Sequence, residues 1–263
     1  MAKDVIFGGI KIDTYTIDEF VEIIENNIKT REKLIQQTGI NAHNFISSKS
    51  DPVLYKAMNN STLVNIDGMS IVWALKLLGY KNITRASCPD IFNTLISRAE
   101  DKQYRLFFLG ATSSVIEKAI QNLNLKYPRL LIAGYHHGFF TDENSDEIAD
   151  MIKDSMADLL FLGMPSPKKE LFSEKYKHRM QVSYTLGVGG VFDILANKTK
   201  RAPLWMQKTG IEWLYRLVQE PRRLWHRYLI DNTKFIWTVA KAKLKKLTRY
   251  DGLSHYVRSE IQT

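Results

Sequence analysis

Between residues 1 and 200 the chain alternates short apolar runs of strand character with longer stretches in which apolar residues recur at helical spacing. IDEFVEIIENNI, DPVLYKAMNNS, SIVWALKLLG, DIFNTLISRAEDK, SVIEKAIQNLNLKY, NSDEIADMIKDS and KKELFSEKYKHR read as helices. Between them STLVNID, YRLFFLG, LLIAGYHH, ADLLFLG and YTLGVGG read as strands, and LIQQTGINAHNF as a strand running into a loop. The rhythm predicts an α/β fold with a Rossmann-like, doubly wound sheet and no internal repeat. In such sheets ligands lie beyond the carboxyl ends of the strands. Those ends are Asn41, Asp67, Gly110, Gly138, Gly163 and Gly189.

After residue 200 the texture changes to amphipathic helices broken near Pro221. Trp213, Leu214, Leu217 and Val218 form an apolar stripe that Leu224, Trp225, Tyr228 and Leu229 continue, and Phe235, Ile236, Val239 and Ala240 follow. Arg216, Arg222, Arg223 and Arg227 border the stripes, and Lys241, Lys243, Lys245, Lys246 and Arg249 close the segment. Aromatic residues at an apolar edge with a polybasic flank suit a helix lying in lipid headgroups; the same pattern also suits packing on the domain or on another subunit. The expected division is 1–200 as an α/β catalytic domain and 201–263 as a basic, Trp-rich, membrane-associating helical appendage.

Charge sharpens this division. The formal net charge is +9, and residues 201–263 hold 13 Lys or Arg against 5 Asp or Glu, which leaves +1 for the first 200 residues. Four of the five tryptophans lie in the same tail, Trp73 being the exception. A basic, Trp-rich segment is open to nucleic acid as well as to membrane. Its cations, however, line continuous apolar stripes and no nucleic-acid motif accompanies them, so no nucleic-acid partner is expected. The single cysteine, Cys88, excludes an internal disulfide, fits a reducing compartment, and reads as a small packed residue. The first ten residues hold only a short apolar patch interrupted by charge, without the long apolar region of an export signal. No run reaches the roughly 18 apolar residues of a spanning helix, so membrane contact is expected to be peripheral.

The residues alone leave the chemistry open. Asp67 sits between an apolar strand and Gly68, where a carboxylate can face a cleft or cap the next helix. Gly110 and the Thr-Ser-Ser run after it can hold a phosphate at a helix N-terminus, or be an ordinary capped turn. Gly187, Gly189 and Gly190 allow close approach of a ligand to backbone, but the dinucleotide fingerprint is incomplete and disfavours a nicotinamide enzyme. His136 and His137 lack partners at metal-ligand spacing.

Three segments resemble the WecG/TagA/CpsF family of bacterial glycosyltransferases: INAHNF with NIDGMSIVWALKLLG and ITRASCPDIF; LFLGMPSPKKE; and GVGGVFDILANKTKRAPLWMQKTGIEWLYRLVQEPRRLWHRYL. Together they span roughly residues 35 to 230. The resemblance implies inverting transfer of a hexose-type sugar (glucose, N-acetylmannosamine or its uronic acid) from a UDP-sugar to a polyprenyl-diphosphate-linked sugar, in cell-surface polysaccharide synthesis. It also implies that no metal or other cofactor is needed, and that homo-oligomers form. The enzyme would work peripherally at an anionic membrane surface, on the cytoplasmic face of the bacterial cell membrane. A non-catalytic membrane scaffold is the competing class.

Carried over by position, Asp67 is the implied general base, since an inverting displacement needs one carboxylate to deprotonate the acceptor hydroxyl. Asn41, Arg85, Asp90 and Lys169 are the implied substrate-binding set. Gly110, Phe139, Gly189 and Asp193 lie beside the nucleotide, and Arg216, Arg222, Arg223 and Arg227 meet the acceptor diphosphate and the membrane. Three departures stand out: Gly39-Ile40-Asn41 where the family often has Thr-x-Asn, Lys169 where an amide is common, and His226 where arginine is common. Lys169 then offers a cation that can reach a phosphate or a carboxylated sugar.

Overall fold

The computed structural model describes residues 3–31 and 34–244. Lys245, Lys246 and Arg249, with the rest of 245–263, lie outside the described residues.

The chain opens with an antiparallel hairpin, β1 (Asp4–Phe7) and β2 (Ile10–Asp13), turning through Gly8-Gly9 at positive φ. The short apolar patch of the first residues belongs to this hairpin, in which Phe7, Ile10 and Ile12 are core. Asp13 accepts a 2.7 Å hydrogen bond from Val64 N, which ties the hairpin to the edge of the main sheet. There follow α1 (Ile17–Thr30), β3 (Ile35–Ile40), α2 (Ala42–Ser50), α3 (Pro52–Asn60), β4 (Leu63–Ile66), α4 (Met69–Leu77) and α5 (Cys88–Lys102). Next come β5 (Arg105–Gly110), α6 (Ser113–Lys126), β6 (Leu131–His136), α7 (Ser145–Asp154), β7 (Leu159–Gly163), α8 (Lys168–Tyr176), β8 (Tyr184–Gly187) and α9 (Val191–Leu195).

One predicted loop is a helix. AHNF opens α2, and its start is fixed by a reciprocal pair in which Asn44 N donates to Asn41 Oδ1 at 3.2 Å and Asn41 N donates to Asn44 Oδ1 at 2.8 Å. Asparagine at the third helical position replaces the usual Glu or Gln of a capping box, so the start signal is masked.

Six strands form one parallel sheet in the order β4-β3-β8-β7-β5-β6. Alternate residues of each strand serve opposite faces. Leu106 and Phe108 of β5 and Leu159 and Phe161 of β7 join α1, α5 and α6 in one core cluster, while Phe107, Leu109, Leu160 and Leu162 join α7 and α8 in another. Helices therefore cover both faces, as the doubly wound expectation requires. Because all six strands run the same way, their carboxyl ends share one edge.

The tail crosses that edge. It comprises α10 (Leu204–Thr209), α11 (Glu212–Gln219), α12 (Pro221–Trp225), a π-helical turn (His226–Asp231) and α13 (residues 232–244). Pro221 opens α12, where its missing N–H costs nothing. The stripes read as continuous in the sequence divide between two faces. Leu224, Phe235 and Val239 are buried, and Phe235 stacks edge-on against Phe45 and Phe7 with centroids at 5.5 and 6.0 Å. Leu214, Val218, Trp225, Leu229, Ile236 and Trp237 remain exposed. Part of the tail's apolar side chains are thus packed on the domain, as one of its two sequence readings has it, and the rest are uncovered.

Phe235→Ala is expected to cost about 3–5 kcal/mol of docking energy, the range for truncating a buried Phe. Hydrogen exchange should then speed up across 226–244 while β5 and β7 stay protected; unchanged exchange in the tail would contradict this packing.

Candidate active site

Adjacent strands β3 and β4 deliver Asn41 and Asp67 side by side at the carboxyl edge. Asp67 N and Gly68 N both donate to Ile40 O, at 3.0 and 3.1 Å, so the chain curls over the end of β3. Asp67 does not cap the following helix: Gly68 holds the cap position of α4, which has no side-chain cap. Its carboxylate turns to α5 instead, where Oδ1 accepts from Cys88 N at 3.0 Å. Oδ2 accepts from Asn41 Nδ2 at 3.3 Å. Cys88 is the first residue of α5, so the carboxylate takes one of the N–H groups a helix start leaves open, at the positive end of its dipole.

A relay of buried polar groups fixes this floor. Tyr184 OH donates to Gln37 Oε1 at 2.7 Å, Gln37 Nε2 to Asn65 Oδ1 at 3.0 Å, and Asn65 Nδ2 to Ala86 O at 2.6 Å. The last bond sets the backbone just ahead of Cys88. Burial, reinforced by the charge of Asp67, pushes the Cys88 thiol far up, so it stays protonated and serves as packing. Its sulfur fills the space beside Gly39: a methyl group at position 39 would overlap Cys88 Sγ and lie 2.9 Å from Asp67 Cβ. The departure at Gly39 therefore has a partner in Cys88.

Around Asp67 stands a charge network. Arg85 Nε donates to Asp67 O at 2.7 Å and Arg85 Nη2 to Glu212 Oε2 at 2.9 Å. Burial works against the Arg85 charge, but Asp67, Glu212 and Asp90 outweigh it and hold the guanidinium above its usual range. Asp90 is paired with Arg201 and bonded to Ser87 Oγ. Arg85 and Asp90 thus meet tail residues rather than open solvent, and Glu212 fastens α11 over the cleft.

The other strand ends carry the remaining residues. Gly110 (φ 151°) abuts β7 so closely that a Cβ there would stand 2.5 Å from the Gly163 carbonyl. Helices α6 and α8 leave these two neighbouring strands toward opposite faces, the arrangement that opens a crevice. Thr112 stands at the cap position of α6 without a side-chain cap bond, and Thr112, Ser113 and Ser114 are exposed. Gly138 N donates to Ala111 O at 2.9 Å, bringing the loop after β6 against this turn, and Phe139 projects from it 72% exposed. Lys168 Nζ clamps the loop through Gly138 O and Phe140 O at 2.9 and 3.0 Å. Gly189 faces open space, and Asp193 pairs with Lys198 at 3.0 Å. Lys169 lies against Gly187 at the end of β8, but its ammonium pairs with buried Glu170 at 2.6 Å and bonds Ser166. Its charge is answered within the protein, unlike the free cation the sequence suggests.

Of the tail arginines, Arg216 reaches over Gly190, with Nη2 2.9 Å from where a Cβ would stand. Arg227 is half-buried, and its Nε has no hydrogen-bond partner among the described residues. Burial holds this guanidinium below its usual range; the charges of Tyr228 and Asp67 oppose that, and those of Arg216 and Arg223 add to it. Arg227 thus lies within the fields of Arg216, Arg223 and Asp67. Arg222 and Arg223 are exposed, Arg223 being paired with Glu220. His226 is also exposed, against Trp225. His136 and His137 stack on each other at 4.2 Å, and no cluster of three His, Cys, Asp or Glu side chains with metal-holding geometry occurs among the described residues.

Sequence reasoning missed Arg201, Glu212, His43 and Asp231 as site residues. Arg201 and Glu212 stand inside the KRAP and GIEWLYRL segments, whose fixed order was the available signal. His43 stands inside INAHNF in the same way, whereas Asp231 lies just past the last of these segments.

The sequence profile described as the Glycosyl transferase WecG/TagA/CpsF family matches residues 5–249. Three similar proteins are each named N-acetylglucosaminyldiphosphoundecaprenol N-acetyl-beta-D-mannosaminyltransferase. That of Bacillus spizizenii is 32% identical over 206 residues, covering 75% of this chain and 79% of its own. The Bacillus subtilis protein is 28% identical over 234 residues, covering 89% and 90%, and the Staphylococcus aureus protein 28% over 240, covering 90% and 92%.

Gly39→Ala should displace Asp67 and cost about 1–3 kcal/mol through overpacking, read as a lower urea midpoint. The double variant Gly39→Ala/Cys88→Ala should recover most of that loss; equal instability of the two variants would refute the paired fit.

Proposed function

Since the chain belongs to the WecG/TagA/CpsF family of glycosyltransferases, we propose that it moves an N-acetylmannosamine-type hexose from a UDP-sugar onto a polyprenyl-diphosphate-linked N-acetylglucosamine, with inversion and without a metal. The sugars follow the names of the similar proteins. The observation that carries the reading is the carboxylate of Asp67, held by Cys88 N and Asn41 Nδ2 at the strand ends beneath a roof of arginines.

The acceptor hydroxyl gives its proton to Asp67 Oδ2 as its oxygen attacks the anomeric carbon, and the bond from that carbon to the diphosphate breaks on the opposite face. UDP leaves with the bonding electron pair. Asp67 is only partly buried, and the 3.3 Å bond from Asn41 is the one hydrogen bond Oδ2 accepts among the described residues. The acceptor's diphosphate needs cations at the mouth of the cleft, and charge developing on the leaving UDP needs preorganised ones. Arg216 meets the leaving UDP and Arg227 the acceptor's diphosphate: Arg227 has an unpartnered Nε, and burial, with the neighbouring cations Arg216 and Arg223 adding to it, works against its charge. A diphosphate entering there relieves the repulsion. Phe139, exposed beside the uncapped start of α6, supplies an aromatic face for the uracil ring.

The acceptor's lipid fixes where this happens. No helix among the described residues is long and apolar enough to cross a membrane. The uncovered ridge of Leu214, Val218, Trp225, Leu229, Ile236 and Trp237 suits insertion among headgroups, with the tail cations meeting anionic lipid. We place the enzyme at the cytoplasmic face of the cell membrane, held by this ridge.

Offered a panel of UDP-sugars and a short-chain polyprenyl-diphosphate N-acetylglucosamine, the protein should yield one disaccharide-lipid by mass, at a rate that a chelator leaves unchanged. Asp67→Asn should lower kcat by about 10²–10⁴-fold, the range for removing a general base, with UDP affinity retained. A near-normal rate would remove Asp67 from this role. In flotation with anionic vesicles, Trp225→Ser/Trp237→Ser should lose most of the bound fraction, whereas unaltered flotation would argue against the ridge as the lipid contact.

A further inference from the structure

Asp231 is a carboxylate only 6% exposed, on a tail segment that otherwise runs along the surface. Its Oδ2 stands 2.6 Å from Nδ1 of His43, the second residue of α2. Burial holds the His43 imidazole below its usual range; Asp231 opposes this, and the cations Arg227 and Lys169 reinforce it. At neutral pH the ring is therefore uncharged, and Nδ1–H donates to the carboxylate. Asn41, two residues earlier on the same helix start, is the group bonded to Asp67.

The partner segment is the π-helical turn His226–Asp231. A π turn closes from residue i to i+5, so Arg227 and Asp231, four apart, share one face. Arg227 interacts electrostatically with both His43 and Asp67. Among the described residues the Arg227 side chain has an unpartnered Nε and no ion pair with a carboxylate. Its guanidinium rests near the ring of Tyr228, its own neighbour on the π turn, 5.6 Å from the centroid, so its place over the cleft follows that of the turn, which the bond of Asp231 ties to α2.

We infer that the His43–Asp231 hydrogen bond is a latch that registers the π turn on α2 and so sets the Arg227 guanidinium over the Asp67 cleft. His43 and Asp231 are positioning residues, acting through Arg227 on the acceptor diphosphate. The functional half of this inference rests on the diphosphate reading of Arg227 given above; the structural half does not. The same helix start then carries both alignments, Asn41 for the base and His43 for the cation, so base and cation move as one unit.

The test uses the full chain and four variants: His43→Ala, His43→Asn, Arg227→Ala and the double variant His43→Ala/Arg227→Ala. Asparagine places an N–H close to where Nδ1–H was, and α2 keeps its Asn41 cap in every case. His43→Ala should speed amide exchange over 226–231 and raise KM for the lipid-linked acceptor roughly tenfold, as loss of a hydrogen bond to a charged group does, with kcat changed less than about threefold. His43→Asn should restore slow exchange and most of the affinity. In the Arg227→Ala background, His43→Ala should add less than about twofold, because coupled residues are not additive. Independent, multiplying effects would overturn the latch, as would unchanged exchange in His43→Ala. If Arg227→Ala alone leaves KM unaltered, the diphosphate reading fails, and exchange over 226–231 alone decides whether the latch stands.

Discussion

The carboxylate of Asp67 is gripped from two sides, by a helix-start N–H of α5 and by the amide of Asn41 that itself starts α2. Everything else at the site is arranged around that grip. The parallel sheet puts β3 and β4 side by side, so the two residues leave adjacent strand ends and need no loop to find each other. The buried relay from Tyr184 through Gln37 and Asn65 to Ala86 O spends polar groups in a core position, where an unsatisfied one would cost about 1–3 kcal/mol. Each donor meets an acceptor, and the result is a rigid floor under the carboxylate.

The tail answers two demands with one amphipathic pattern. Its buried side, Leu224, Phe235 and Val239 with Asp231 between, anchors it across the carboxyl edge of the sheet. Its exposed side holds Trp225, Ile236 and Trp237 outward. Neighbouring residues in sequence, such as Leu224 with Trp225 and Phe235 with Ile236, therefore have opposite fates. An apolar ridge left in water is unfavourable for an isolated soluble protein, and it has a physical rationale when the acceptor is lipid-borne. The same helices carry Arg216 and Arg227, so the exposed apolar residues and the cations stand on one element.

The fold was largely legible because the strands are apolar runs and most helices are strongly amphipathic, both being signals of local period. What escaped was weakly periodic or nonlocal. The hairpin β1–β2 is only four residues a side, and α2 begins with Asn41 and Asn44 in place of the usual cap signature. At the site, Asp67 and Asn41 were legible through their position at strand ends and through the family resemblance. Cys88 N, which holds the Asp67 carboxylate, is 21 residues away from it, and His43 and Asp231, which join the tail to α2, stand 188 residues apart. Lys169 shows the converse: a free cation in the sequence is paired with its own neighbour Glu170 once folded.

The central claim is that one carboxylate and a roof of arginines share a single reaction space. A crystal structure with UDP and a short-chain diphosphate-linked N-acetylglucosamine bound tests it most directly. The account predicts an acceptor hydroxyl within about 2.6–3.2 Å of Asp67 Oδ2, the reach of a general base, and a diphosphate beneath Arg216 and Arg227. A diphosphate seated away from both arginines, or an acceptor hydroxyl facing a different group, would contradict it.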